Sequence, residues 1–287
     1  MPLVSTGDIV GPATAQRRGC GAFNAIQLEH ITAIIEGARL AGTPVIVQLS
    51  QNAVRYHGTL APIGEAALAA ARAAPVPVAV HLDHAESADL VREAVELGFS
   101  SVMFDASKLD YLGNVRETRE MVEYCHARKV WVEAELGEIG GKDGVHAPGA
   151  RTDPGDAAEF AVATGVDALA VAVGSSHAML TRDAALDFEL IARLRSAVPV
   201  PLVLHGSSGV DDEGLAAAVH AGMTKINIAT QLNKVFTAAA AVDLREHPGK
   251  VDPRRYLGAG REAVTAEVRR LLGVLSAREV SHKLDSR

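Results

Sequence analysis

Apolar residues along this chain keep two rhythms. Short runs rich in valine and isoleucine alternate with longer, alanine-rich stretches whose apolar residues recur every three or four positions. A short β-branched run reads as a strand buried on both faces, and the longer periodicity reads as one face of a helix. The runs are Cys20–Ile26, Pro44–Ser50, Pro77–His84, Ser101–Ala106, Val130–Gly137, Ala168–Gly174, Val200–Gly206 and Lys225–Ala229. Between and after them lie helical stretches at Leu28–Ala41, Ile63–Ala74, Ser87–Leu97, Val115–Arg128, Pro154–Thr164, Phe188–Ala197, Asp211–Ala221 and Gln231–Glu246. Ser87 and Asp211 stand where N-caps are expected.

Strict alternation of continuous apolar strands with helices predicts a parallel sheet covered on its outer face. Eight such units in about 250 residues predict a closed (β/α)8 barrel, a TIM barrel, as a single domain over residues 1–287 with a short polar tail from about 277. An open doubly wound sheet is the alternative, but "GCGAFN" at Gly19–Asn24 is a poor match to a dinucleotide fingerprint.

Composition narrows the function. At 287 residues and 48% hydrophobic, the chain can bury a large core, and a formal net charge of -7 argues against a broad nucleic-acid surface. A phosphorylated small molecule stays open, because helix N-termini and glycine loops hold phosphate without net positive charge. Cys20 and Cys125 are far apart and in no metal-ligand spacing, which reads as free buried thiols in a reducing cytosol. Met1–Arg18 lacks an apolar signal core, and no apolar run approaches the ~20 residues of a membrane span. A cytoplasmic protein is expected.

In a barrel the chemistry collects at the C-terminal ends of the strands. Those ends read His81-Leu82-Asp83-His84, Asp105, Glu133 and Glu135, Gly174-Ser175-Ser176-His177, His205-Gly206-Ser207-Ser208-Gly209 and Asn227-Ile228-Ala229-Thr230. Buried carboxylates are costly unless paired or bound to metal. His84, His177 and His205 come from three different strands that a closed barrel can bring to one point. Neutral imidazoles favour zinc, and three protein ligands with an open position describe a catalytic site. His81 shares a face with Asp83 and suits a supporting or core role. Glu133 reads equally well as a rim salt bridge, and Asp105 as a helix cap. Gly206–Gly209 before a helix, with Asn227–Thr230 on the next strand, reads as a phosphate cradle.

Taken together, "HLDH" (His81–His84), "SVMFDAS" (Ser101–Ser107), "VEAELG" (Val132–Gly137), "VGSSH" (Val173–His177), "LHGSSG" (Leu204–Gly209), "KINIAT" (Lys225–Thr230) and "DPRRYL" (Asp252–Leu257) resemble the class II fructose-bisphosphate and tagatose-bisphosphate aldolases. The resemblance spans roughly Val4 to Leu272. It implies that His84, His177 and His205 hold a catalytic zinc, with Glu135 an alternative ligand and Asp105 a supporting or alternative metal position. Zinc would polarise dihydroxyacetone phosphate toward an enediolate. Asp83 would move the proton on the oxygen that becomes the aldehyde, and Asn227 would hydrogen-bond the enediolate. Ser50, Ala178, Gly206, Ser207, Ser208, Asn227, Ile228, Ala229 and Thr230 would bind substrate and phosphate, with a monovalent cation, Na+ or K+, nearby. Ala229 follows Asn227-Ile228 as in the tagatose-type or broader ketose-bisphosphate branch. The family's relatives are homodimers or homotetramers.

Two departures stand out. Ala178 replaces the family's glycine. The loop after the fifth strand reads Gly140-Gly141-Lys142-Asp143-Gly144 and lacks the glutamate that removes the carbon-bound proton. Asp143 or Glu138 serves as the base, or the loop follows other chemistry, and the choice stays open. Competing readings are a Schiff-base aldolase using Lys225, a metal-dependent hydrolase, and a non-catalytic sugar-phosphate-binding barrel. Arg254 and Arg255 suit either a distal phosphate or a solvated surface.

Overall fold

The computed structural model describes residues 2–136, 151–177 and 179–276. Eight parallel strands close in sequence order: β1 (Cys20–Asn24), β2 (Val45–Ser50), β3 (Val78–Ala85), β4 (Ser101–Phe104), β5 (Trp131–Leu136), β6 (Ala168–Val171), β7 (Leu202–Leu204) and β8 (Met223–Ile228), with β8 pairing back to β1. The expected (β/α)8 barrel is what forms.

Helices wrap the outside. They are α1 (Thr6–Ala15), α2 (Leu28–Ala41), α3 (Gln51–His57), α4 (Ala61–Ala73), α5 (Ala88–Leu97), α6 (Tyr111–His126), α7 (Pro154–Thr164), α8 (Phe188–Ala197), α9 (Asp212–Ala221), α10 (Thr230–Glu246) and α11 (Pro253–Ser276). Ser87 caps α5 by accepting from Leu90 N, and Asp211 caps α9 by accepting from Gly214 N. Three helices, α1, α3 and α11, were not among the stretches expected from periodicity. α1 closes the N-terminal end of the barrel: Ile9 and Val10 pack against Cys20, Ala22, Ile46 and Ala79. α11 lies across α2 and α10 at close range, where a Cβ on Gly37 would stand 2.8 Å from Val268.

Strand alternation divides the barrel in two. Outward residues such as Phe23, Val47, Val80 and Val132 join the large core beneath the helices. Inward residues form layers, apolar at the N-terminal end and polar above. Register places Gln48 beside His81, Ser50 beside Asp83, and Ala22 beside Asn227. Polar side chains therefore gather on the inner axis and at its C-terminal mouth. Both cysteines are free and buried, and burial pushes the Cys20 thiol up to about 12 and Cys125 up to about 11.

Candidate metal and substrate site

A cavity of about 170 Å³ opens at the C-terminal mouth, lined by Asn24, Ser50, Asn52, Asp83, His84, His177, His205, Gly206, Ser207, Ser208, Asn227, Ala229 and Thr230. The topology brings these together from the ends of six strands, β1, β2, β3, β6, β7 and β8, and the segments beyond them.

His84 reaches the mouth through a local irregularity. Alternation along β3 turns His81 and Asp83 inward and would turn His84 toward the helices. The β3–β4 register shifts between Leu82 and Ala85, and His84 adopts φ 51°. A bulge re-aims a side chain in this way, and a non-glycine residue at positive φ costs on the order of 1 kcal/mol or more. His205 stands one residue beyond β7, and His177 lies in the long connection after β6.

The three imidazoles converge. Ring centroids are 4.7 Å apart for His84–His205, 5.2 Å for His84–His177 and 5.7 Å for His177–His205, all at steep interplanar angles. Their ligand-capable atoms lie within 4.8 Å of one another, and His84, Asp105 and Glu135 form a second, overlapping group.

Hydrogen bonding assigns the tautomers. Asp105 Oδ2 lies 2.9 Å from His84 Nδ1, so an ionised Asp105 takes that N–H and leaves the lone pair on Nε2. Glu133 Oε1 lies 2.9 Å from His205 Nε2 and by the same logic leaves the lone pair on Nδ1. Asn227 Nδ2 is also 3.0 Å from His205 Nε2; as a donor it favours the other tautomer, and the charged Glu133 acceptor outweighs that neutral donor. The two lone-pair atoms, His84 Nε2 and His205 Nδ1, face each other at 3.0 Å. Two lone pairs at that distance repel unless a cation lies against both. Nitrogens on one tetrahedral zinc, each at about 2.0–2.1 Å, stand about 3.3 Å apart. The donor set therefore fits such an ion.

Asp105 is itself held by Ser107, whose backbone N–H and hydroxyl donate to Oδ1 at 3.2 and 2.6 Å. It supports His84 and does not cap α6, whose N-cap is Asp110. Glu135 Oε2 is 3.8 Å from His205 Nδ1, and its backbone carbonyl accepts from Asn114 Nδ2. Glu133 is fully buried inside the barrel, 2.8 Å from Lys225 Nζ, so the rim salt-bridge reading gives way to an interior pair. His81 is fully buried and hydrogen-bonded to Ser101 Oγ at 2.7 Å, which suits the supporting role. Burial first, then the Lys225 charge, holds its imidazole well below the ordinary value.

Burial alone would raise the Asp83 carboxyl. The His84 and His205 imidazoles, the Lys225 charge and a 2.7 Å hydrogen bond from Asn24 Nδ2 outweigh it and hold Asp83 below its usual range. Asn24 and Gln48 are functional candidates that periodicity did not single out. Their signal was a polar side chain at an inward position of an otherwise apolar run.

Opposite Asp83 the lining changes to small residues. Gly206 sits at φ 68°, and a Cβ there would stand 2.6 Å from the Ser176 backbone, so the loop beside His177 and the loop after β7 touch main chain to main chain. Ser207–Gly209 forms a single 3-10 turn, and Ser208 Oγ accepts from Gln231 N. Ala229, the N-cap of α10, has no side-chain cap, and Ala229 and Thr230 line the cavity at the N-terminal end of this 17-residue helix. The positive end of the helix dipole favours an anion there. Ile228 points outward into the core, leaving only its backbone near the cavity. Ser50 lines the cavity while its hydroxyl caps α3. Arg254 and Arg255 do not line the cavity and pair instead with Asp252 and Asp243. Ala178, Glu138 and Asp143 lie outside the described residues, as does the tail from 277.

Comparisons with known proteins agree over nearly the whole chain. The model of the family "Fructose-bisphosphate aldolase class-II" matches residues 4–279. A fructose-bisphosphate aldolase of Thermus caldophilus is 39% identical over 93% of this chain and 96% of its own, and one of Giardia intestinalis is 38% identical over 92% and 90%. Among solved structures, the YdjI aldolase from Escherichia coli K12 superposes with a TM-score of 0.84 at 33% identity, covering 95% of this chain and 97% of its own.

Proposed function

This chain belongs to the class II fructose-bisphosphate aldolase family, and from that premise we propose that it is a zinc-dependent aldolase acting on a ketose mono- or bisphosphate. It would cleave or form one carbon–carbon bond and exchange dihydroxyacetone phosphate and an aldehyde with the medium. The observation that carries this reading is the pair of imidazole lone pairs facing each other at 3.0 Å, with His177 as the third donor beside them.

His84, His177 and His205 would hold the zinc, with Glu135 within reach. Zinc bound there would supply Lewis acidity to the ketone and hydroxyl oxygens of the substrate. Asp83, kept ionised by its neighbours, takes the proton from the hydroxyl that becomes the aldehyde and returns it in the condensation direction. Asn24 fixes the rotamer of that carboxylate. The Asn227 amide stabilises negative charge developing on the substrate oxygen. The α10 N-terminus with Gly206, Ser207 and Ser208 grips the phosphate and so fixes the reacting carbons relative to Asp83. A Na+ or K+ ion beside that phosphate, a homodimer or homotetramer, and a cytoplasmic setting complete the proposal. No described helix is long and apolar enough to cross a membrane. Ala229 supports a tagatose-type or broader ketose substrate.

The test is metal analysis combined with a coupled triose-phosphate release assay across ketose mono- and bisphosphates. One equivalent of zinc per chain, with release abolished by a chelator and restored by metal, is expected. Full activity in metal-free protein, or no release from any ketose phosphate, defeats the reading.

A further inference from the structure

Lys225 is the buried group that the proposed mechanism leaves without a task. Its side chain is fully buried on the barrel axis, beneath the mouth and away from the cavity lining. Three groups hold its ammonium: Gln48 Oε1 at 2.6 Å, Asn227 Oδ1 at 2.8 Å and Glu133 Oε2 at 2.8 Å. An ammonium is a donor only, so each contact dictates which end of its partner faces it.

Two chains of consequence run from there. Glu133 pairs with Lys225 through Oε2, which leaves Oε1 turned to His205 to take its Nε2 proton. The second chain runs through amides. With Oε1 turned to Lys225, Gln48 presents Nε2 to Asn24 Oδ1 at 3.1 Å. Asn24 must then present Nδ2, which donates to Asp83 Oδ2 at 2.7 Å. Reversing Gln48 would set donor against donor at Lys225, and reversing Asn24 would set donor against donor at Gln48 and acceptor against acceptor at Asp83.

We propose that Lys225 is a positioning residue that sets the polarity of both halves of the site: through Glu133 it selects the His205 tautomer, and through Gln48 and Asn24 it aims a donor at Asp83. The first half rests on the reading of His205 as a metal ligand; the second rests on the role given to Asp83. A Schiff-base role is excluded by the same contacts, since the amine is spent on three acceptors below the substrate.

Single-arm variants separate the two effects. Glu133→Gln should weaken metal binding roughly 10- to 100-fold, measured by competition with a chromophoric chelator in the absence of substrate. Gln48→Met should leave metal affinity within about threefold and lower kcat at least tenfold with KM little changed, as expected when only a transition-state contact is lost. Lys225→Met should show both defects. Cobalt(II) absorption of the Glu133→Gln and Lys225→Met proteins should differ from the parent, which a loss of general packing alone would not produce. Should Lys225→Met not fold, the two single-arm variants decide. Unchanged metal affinity in Glu133→Gln, unchanged kcat in Gln48→Met, or borohydride trapping of substrate on Lys225 overturns the proposal. The metal titration needs no substrate, so a parent protein inactive on every ketose phosphate defeats the aldolase reading without touching the His205 arm.

Discussion

Replacing Asp105 by asparagine tests the metal site through a residue that need not touch the metal. Asp105 is buried and accepts from His84 Nδ1 at 2.9 Å, which leaves Nε2 to the ion. Asparagine keeps the shape. Its amide no longer offers a charged acceptor, and Ser107 continues to claim the Oδ1 position. His84 then loses both its fixed tautomer and part of its basicity. Loss of such a partner typically costs 10- to 100-fold in metal affinity, about 1.4–2.7 kcal/mol. By linkage, metal-dependent stabilisation at fixed excess zinc falls by the same amount. For a chain of this size 1 kcal/mol moves Tm by about 2–4 °C, so the zinc-induced rise in Tm should shrink by roughly 3–10 °C. The assay is thermal melting of metal-free and zinc-loaded protein, beside a chelator competition titration. An Asp105→Asn protein whose zinc affinity lies within threefold of the parent would show that the His84–Asp105 bond does not set the ligand tautomer.

Other outcomes follow from the same geometry. His205→Ala should remove stoichiometric zinc as well as activity, read by metal analysis after gel filtration. Asp83→Asn should keep zinc and lose roughly 10²- to 10⁴-fold in triose release, and unchanged turnover would remove Asp83 from proton transfer. With the family's loop glutamate lacking from Gly140–Gly144, exchange of the carbon-bound proton of dihydroxyacetone phosphate should be slow by detritiation; fast exchange would mean that another base serves in its place. Asp212 binds Arg182 at 2.7 Å and also Arg270, tying α9 to α11. Burial would raise its carboxyl, but the two guanidinium groups hold it below the ordinary value. A depressed folded pKa adds stability that is present above the unfolded value and lost as pH falls through the folded one. Asp212→Asn should therefore lower stability by about 0.5–1 kcal/mol at pH 7, discounted for partial exposure, with the difference fading as the pH falls below the ordinary carboxylate range in denaturant titrations.

The barrel was legible because each strand is a continuous apolar run and each run is followed by a helix, a pattern that few architectures share. Ends were less legible where the chain changes direction by backbone geometry. β7 was expected over Val200–Gly206 and spans only Leu202–Leu204, because Gly206 at φ 68° already belongs to the turn that lines the cavity. α1 escaped periodicity because Gly7, Gly11 and Pro12 interrupt it. What makes α1 a helix is a capping box between Ser5 and Asp8 and the apolar barrel floor that Ile9 and Val10 cover. Tertiary burial, absent from any local window, decides that segment.

The site shows the same division more sharply. Histidines at the ends of three strands were readable as one cluster, because closure of the barrel makes distant strand ends neighbours. The residues that fix their chemistry were not. Asn24 and Gln48 are lone amides in apolar runs, and nothing local says which way each amide turns; that is set by Lys225, 177 positions from Gln48 in sequence. Alternation likewise misplaces the key ligand. It assigns Asp83 to the interior and sends His84 to the helix side, and the two can meet the same cavity only because β3 breaks register there and His84 accepts a left-handed backbone. A carboxylate and an imidazole adjacent in sequence thus line one cavity, where the proposed function makes one a proton acceptor and the other a metal ligand. A regular strand cannot do this, so the strain at His84 is a condition of the chemistry proposed for the site.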